Sequence, residues 1–77
     1  MVSATIVDVS VCVGVSGLLT IELNGPCCGL FNTYNPDDIA ASLCLALNAL
    51  HIINLDVSAN VATVFQKCNK SLPNYTC

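Results

Sequence analysis

The chain has 77 residues, enough for one domain and too few for two, and a hydrophobic core of that size alone leaves only roughly 3–5 kcal/mol of net stability. Hydrophobic residues make up 55% and charged residues 9%, against about 25% charged in an average soluble domain. With Lys67 and Lys70 as the only basic residues and a net charge of −3, the chain offers no electrostatic footprint for nucleic acid or for an anionic membrane surface.

Six cysteines in so short a chain, even in number, read as a disulfide framework from an oxidising compartment, so a secreted, extracellular protein is expected. Each bridge contributes on the order of 2–4 kcal/mol, mainly by restricting the unfolded chain. No run of eighteen apolar residues occurs, because Asp8, Glu22, Asn24, Asp37, Asp56 and Lys67 interrupt the sequence, so no transmembrane helix is expected. The stretch Val2–Leu19 lacks a basic leader and contains Asp8 and Cys12. It is read as mature protein, with Met1 as a start added in cloning and any native signal already removed.

Between Val7 and Leu19, Val7, Val11, Val15, Leu18 and Leu19 recur at helical spacing. The alternation Val7, Val9, Val11, Val13, Val15 fits a strand equally well. Helix is preferred here, with Gly14 and Gly17 allowing close helix packing or a bend. Asn24-Gly25-Pro26 predicts a turn in which Gly25 is free to take positive φ, and a short helix follows from about Pro26 to Phe31. Asn35-Pro36-Asp37-Asp38 supplies a capping side chain, a proline at the first helical position and two carboxylates at the positive end of the helix dipole. The helix it starts carries Ile39, Leu43, Leu47 and Leu50 on one face and should end near His51. After an extended connector, Asp56 or Ser58 caps a last helix with Val57, Val61, Val64, Phe65 and Cys68 in one stripe. Residues 69–77 contain Pro73, show no periodicity and read as an irregular tail.

Catalytic constellations are missing. His51 is the single histidine, and no orienting carboxylate can be assigned to it, so it reads as a helix-terminal residue, exposed or at the edge of the core. Asp37 and Asp38, adjacent on a helix, do not face each other. No zinc-ligand spacing and no glycine-rich phosphate loop occurs, so neither a metal nor a cofactor is expected. Asn69-Lys70-Ser71 and Asn74-Tyr75-Thr76 both satisfy the N-glycosylation rule.

The adjacent pair Cys27-Cys28 must reach in two directions, and six cysteines allow fifteen connectivities, among which spacing alone does not choose. Cys12, the Pro-Cys27-Cys28-Gly doublet, Ser-Leu-Cys44-Leu-Ala-Leu, Cys68 and Cys77 together form a more specific pattern. So do Val-Asp-Val-Ser-Val-Cys at 7–12, Ala-Leu-His-Ile-Ile-Asn-Leu at 49–55 and Asn-Lys-Ser-Leu-Pro-Asn-Tyr-Thr-Cys at 69–77. From about Ile6 onward this resembles the plant eight-cysteine family of lipid-transfer proteins, hydrolase inhibitors and storage albumins, and within it the hydrophobic seed protein and hybrid proline-rich protein branch. Two cysteine positions of that pattern are occupied by Ile6 and Ala46. In the lipid-transfer pairing scheme those two positions bond to each other, so one whole bridge is missing and no thiol is stranded.

The resemblance implies Cys12–Cys27, Cys28–Cys68 and Cys44–Cys77, in an all-α, right-handed four-helix arrangement around an apolar cavity. Lining candidates from the first half are Ile6, Leu19, Leu30, Phe31, Ile39, Leu43 and Leu47. The second half adds Leu50, Ile53, Val61, Val64, Phe65 and Leu72, with Tyr75 as a polar handle at the mouth. Such stripes are ordinary core more often than ligand sites; the shortage of aromatics, with Phe31 and Phe65 alone to fill the centre, favours a cavity here. Ala40 stands where lipid-transfer proteins usually carry a basic residue for a lipid head group. The function expected is non-enzymatic binding of a lipid or other apolar molecule. The alternative is a structural or surface-active cell-wall protein that self-associates through apolar patches. A defence role, as hydrolase inhibitor or antimicrobial, ranks below both, because Asn32–Asn35 is the only candidate reactive loop and the acidic chain lacks a basic amphipathic face. Fungal hydrophobins share the greasy, cysteine-rich character but carry two cysteine doublets, where this chain has one.

Overall fold

The computed structural model describes residues 6–73, and helices dominate its regular structure. Short α1 (Pro26–Gly29) runs into a 3₁₀ turn at Leu30–Asn32, followed by α2 (Pro36–Ala49) and α3 (Val57–Lys67). The amino-terminal part holds a two-stranded antiparallel hairpin, β1 (Val13–Gly14) and β2 (Gly17–Leu18), with Val13 opposite Leu18 and Gly14 opposite Gly17.

The expected helix over Val7–Leu19 therefore does not form, and three α-helices, not four, lie among the described residues. Five β-branched valines lose rotamer freedom in a helix and favour extended backbone. The alternation wins at the start, where Val7 and Val9 are buried and Asp8 and Ser10 exposed. Cys12 and Val13 then donate to the Val9 carbonyl at 2.8 and 3.1 Å, making one tight turn before the hairpin. Gly17 sits at φ +117°, a conformation open to glycine and closed to helices. Gly25 departs from expectation too: its φ is −85°, and its smallness serves close approach, since a Cβ there would lie 3.2 Å from the Glu22 carbonyl oxygen.

The helix signals appear as hydrogen bonds. Pro36 occupies the first turn of α2, and the Asn35 side chain accepts from the Asp37 amide at 3.2 Å. Of the two cap candidates for α3, Asp56 is used, accepting from the Ala59 amide at 3.0 Å. The end of α3 closes with a paired motif: Asn69, at φ +56°, donates to Gln66 O at 3.1 Å and Lys70 donates to Phe65 O at 2.9 Å. His51 holds the equivalent left-handed position after α2, at φ +53°, and is exposed.

Packing is centred between α2 and α3. Ile39, Leu43, Val64 and Phe65 have no exposed surface, and Leu47 and Val61 retain almost none. Phe31 meets Phe65 edge to face at 4.9 Å between ring centres, filling the side toward the 3₁₀ turn. Cys12–Cys27 ties the hairpin to α1 and Cys28–Cys68 ties α1 to the end of α3, so the doublet reaches in two directions. Cys44, buried on α2, is also disulfide-bonded, while its implied partner Cys77 lies outside the described residues.

Candidate functional site

Apolar residues of the core edge and of the surface gather on the flank of α2 that faces the amino-terminal segment. Ile6, Val7 and Val9 form one wall there, Val13, Gly14 and Val15 of the hairpin a second, and Ser42, Leu45, Ala46 and the helix-ending Leu50 the third. They enclose an open groove of about 630 Å³, with Asp8 and Ser10 as further lining residues. Val15 and Leu45 are 93% and 60% exposed, so the groove displays large apolar side chains to solvent.

One buried hydrogen bond positions the first wall. Val7 N–H donates to Ser42 Oγ at 2.9 Å across 35 residues of sequence, fastening the extended segment to α2. Ser42 is also the one buried polar side chain among the described residues. At the rim, the Ser10 hydroxyl and then the Ser10 amide, which donates to Asp8 Oδ1 at 3.0 Å, hold the Asp8 carboxyl below its ordinary value despite a small opposing effect of burial.

The lining candidates named from sequence fall into separate places. Ile6 and Leu50 line the groove. Ile39, Leu43, Leu47, Val61, Val64 and Phe65 are packed core, with Leu30 and Phe31 half-buried against it. Leu19, Ile53 and Leu72 are exposed and line no part of the groove. Tyr75 and the glycosylation candidate Asn74 lie outside the described residues, and Asn69 is exposed at the end of α3. Sequence reasoning missed Ser42, Leu45, Val13, Val15 and the inner face of the extended segment. Two signals pointed to them: the valine alternation, and an apolar Leu45 away from the Ile39-Leu43-Leu47 face of its helix. The groove also contains both Ile6 and Ala46, the two positions at which the eight-cysteine pattern is broken.

A smaller polar crevice of about 310 Å³ lies beside the Cys28–Cys68 bridge, lined by Asn24, Asn32, Asn69 and Lys70 among others. No helix among the described residues is long and apolar enough to cross a membrane.

No solved structure is a significant match. A curated relative, "pEARLI1-like lipid transfer protein 2" from Arabidopsis thaliana, is 39% identical over 74 residues, covering 87% of this chain and 41% of the relative's length. The chain thus spans about two fifths of that protein. The family model described as "Hydrophobic seed protein" matches residues 2–77, essentially the full length, and the chain belongs to that family.

Proposed function

We propose that this chain is a secreted, non-enzymatic binding protein that shelters an acyl chain or similar apolar molecule in the groove between its amino-terminal segment and α2. The observation that carries the reading is the lining: eight of its twelve residues are apolar and three, Asp8, Ser10 and Ser42, are polar. Its volume falls within the roughly 300–1,000 Å³ usual for small-molecule sites. Affinity comes from apolar burial, at about 25 cal/mol per Å² before the costs of association, so chain length matters more than chemical detail. The lipid-transfer name of the Arabidopsis relative supports the same class of ligand.

Uptake of the uncharged dye N-phenylnaphthylamine by the oxidised protein, followed by fluorescence, tests the proposal. Leu45→Glu places a charge in the groove at an exposed position and should abolish uptake, whereas Ile53→Glu, 86% exposed and outside the groove, should leave it intact. No uptake at micromolar protein, or equal loss in both variants, overturns the assignment.

A second reading is favoured by one observation: Ile6, Val15, Leu23, Leu45 and Ile53 each leave more than half their surface exposed. Apolar patches of this kind drive adsorption or self-association, which suits a structural or surface-active wall protein. Surface-tension measurement with sedimentation separates the two readings, since a monomer without interfacial activity eliminates this one.

A further inference from the structure

Among the described residues, the groove lining has one charged side chain, Asp8, and no basic one. Asp8 lies on the extended segment between buried Val7 and Val9, so it shares the outward face with Ile6, and both side chains border the groove. Its carboxylate is tethered to the amide of Ser10, another lining residue, which keeps the charge at the rim. Leu50, the residue that caps the carboxyl-terminal end of α2, also lines the groove. The carboxyl-terminal end of α2 carries the negative end of the helix dipole, and the helix has no basic residue in its last turn to offset it. Of the two lysines, Lys67 ends α3 and Lys70 lines the separate polar crevice. The lining thus carries one negative charge, the negative end of one helix dipole and no positive charge.

We propose that the groove selects single-chain amphiphiles with a cationic head group, an amine or quaternary ammonium, over carboxylates of the same chain length, and that Asp8 is the residue that sets this preference. The inference rests on the groove being the apolar binding site. A unit charge about 4 Å from the carboxylate in water is favoured or disfavoured by about five-fold in affinity, and the effect shrinks as added salt shortens the screening length.

The test is displacement of N-phenylnaphthylamine from the oxidised full chain at low ionic strength by dodecyltrimethylammonium, dodecanol and laurate, each below its micelle concentration. Affinity should fall in that order, by about five-fold per step. Asp8→Asn keeps an oxygen to accept from Ser10 and should compress the three affinities to within about two-fold, with dodecanol unchanged. Glu22→Gln removes the same charge from outside the groove and should preserve the order. If the dye binds but laurate competes as well as the ammonium compound, or Asp8→Asn preserves the order, the preference is refuted while the binding site stands. If wild-type protein takes up no dye, the site itself falls and the preference with it.

Discussion

Removing a single oxygen atom from α2 should loosen the whole amino-terminal wall of the groove. In Ser42→Ala the Val7 amide loses its 2.9 Å acceptor while remaining among residues that are almost fully buried. An unsatisfied buried amide costs about 1–3 kcal/mol. Alanine returns about 0.5 kcal/mol through its better helix propensity, leaving a net loss of about 0.5–2.5 kcal/mol. Because the bond spans 35 residues, the loss concentrates where the extended segment leaves α2, and the core between α2 and α3 is spared. Guanidinium unfolding under non-reducing conditions reads the global loss, and amide hydrogen exchange reads its location. Protection of the Val7 amide should collapse, while the amides of Val64 and Phe65 change only by the global amount. Dye uptake should weaken in parallel. A variant as stable as wild type to within about 0.3 kcal/mol, with Val7 still protected, would refute the assignment of Ser42 as the fastening point.

Leu43→Ala, at a position with no exposed surface, should cost about 2–5 kcal/mol in denaturant unfolding, and Ile53→Ser less than about 0.5 kcal/mol, because Ile53 is 86% exposed. Replacing Cys28 and Cys68 together with alanine, which opens a separation of 40 residues, should destabilise by about 1 kcal/mol more than replacing Cys12 and Cys27, separated by 15, if chain entropy governs. Asp8 is more acidic folded than unfolded, so its stabilising effect is complete above its ordinary value of 3.8 and disappears as the pH falls through the lower folded value. An NMR titration should find that depressed value in wild type and see it rise in Ser10→Ala. Ile6→Cys combined with Ala46→Cys should form a fourth bridge on oxidative refolding, add up to about 4 kcal/mol by closing a loop of about forty residues, and reduce dye uptake by drawing the groove walls together. Thiol titration, melting and fluorescence check it.

The strongest local chemistry was legible in advance. Asn35-Pro36-Asp37-Asp38 defines the start of α2 because cap, proline and carboxylates each act within one turn and need no tertiary partner. The stripes Ile39-Leu43-Leu47 and Val61-Val64-Phe65 are core because 3.6-residue periodicity on two adjacent segments allows few other packings. The stretch from Val7 to Leu19 was ambiguous, since both periodicities fit it; β-branching and the Gly17 backbone decided for the hairpin. The groove was harder to see, because Leu45 is an apolar residue outside the stripe of its helix and Val15 fits either periodicity of its segment while standing exposed. Ser42 was invisible as a fastening point: its partner is a backbone amide 35 residues away, which carries no mark in the sequence.

The disulfides and the exposed apolar groove belong to one physical balance. Burying a leucine, isoleucine or valine contributes about 1.5–3 kcal/mol, and Ile6, Val15 and Leu45 forgo most of that by standing open around the groove. A domain of this size has little core stability to spare, so covalent staples help it leave such side chains in water and remain folded. The two bridges seen between described residues, at about 2–4 kcal/mol each, offset a deficit of that size. None of Cys12, Cys27, Cys28 and Cys68 lines the groove. At Ile6 and Ala46, where a further bridge would cross the groove, the chain has an aliphatic side chain and a methyl group in place of sulfur. The groove walls there are held by packing and by the Val7–Ser42 hydrogen bond, with no sulfur at either position.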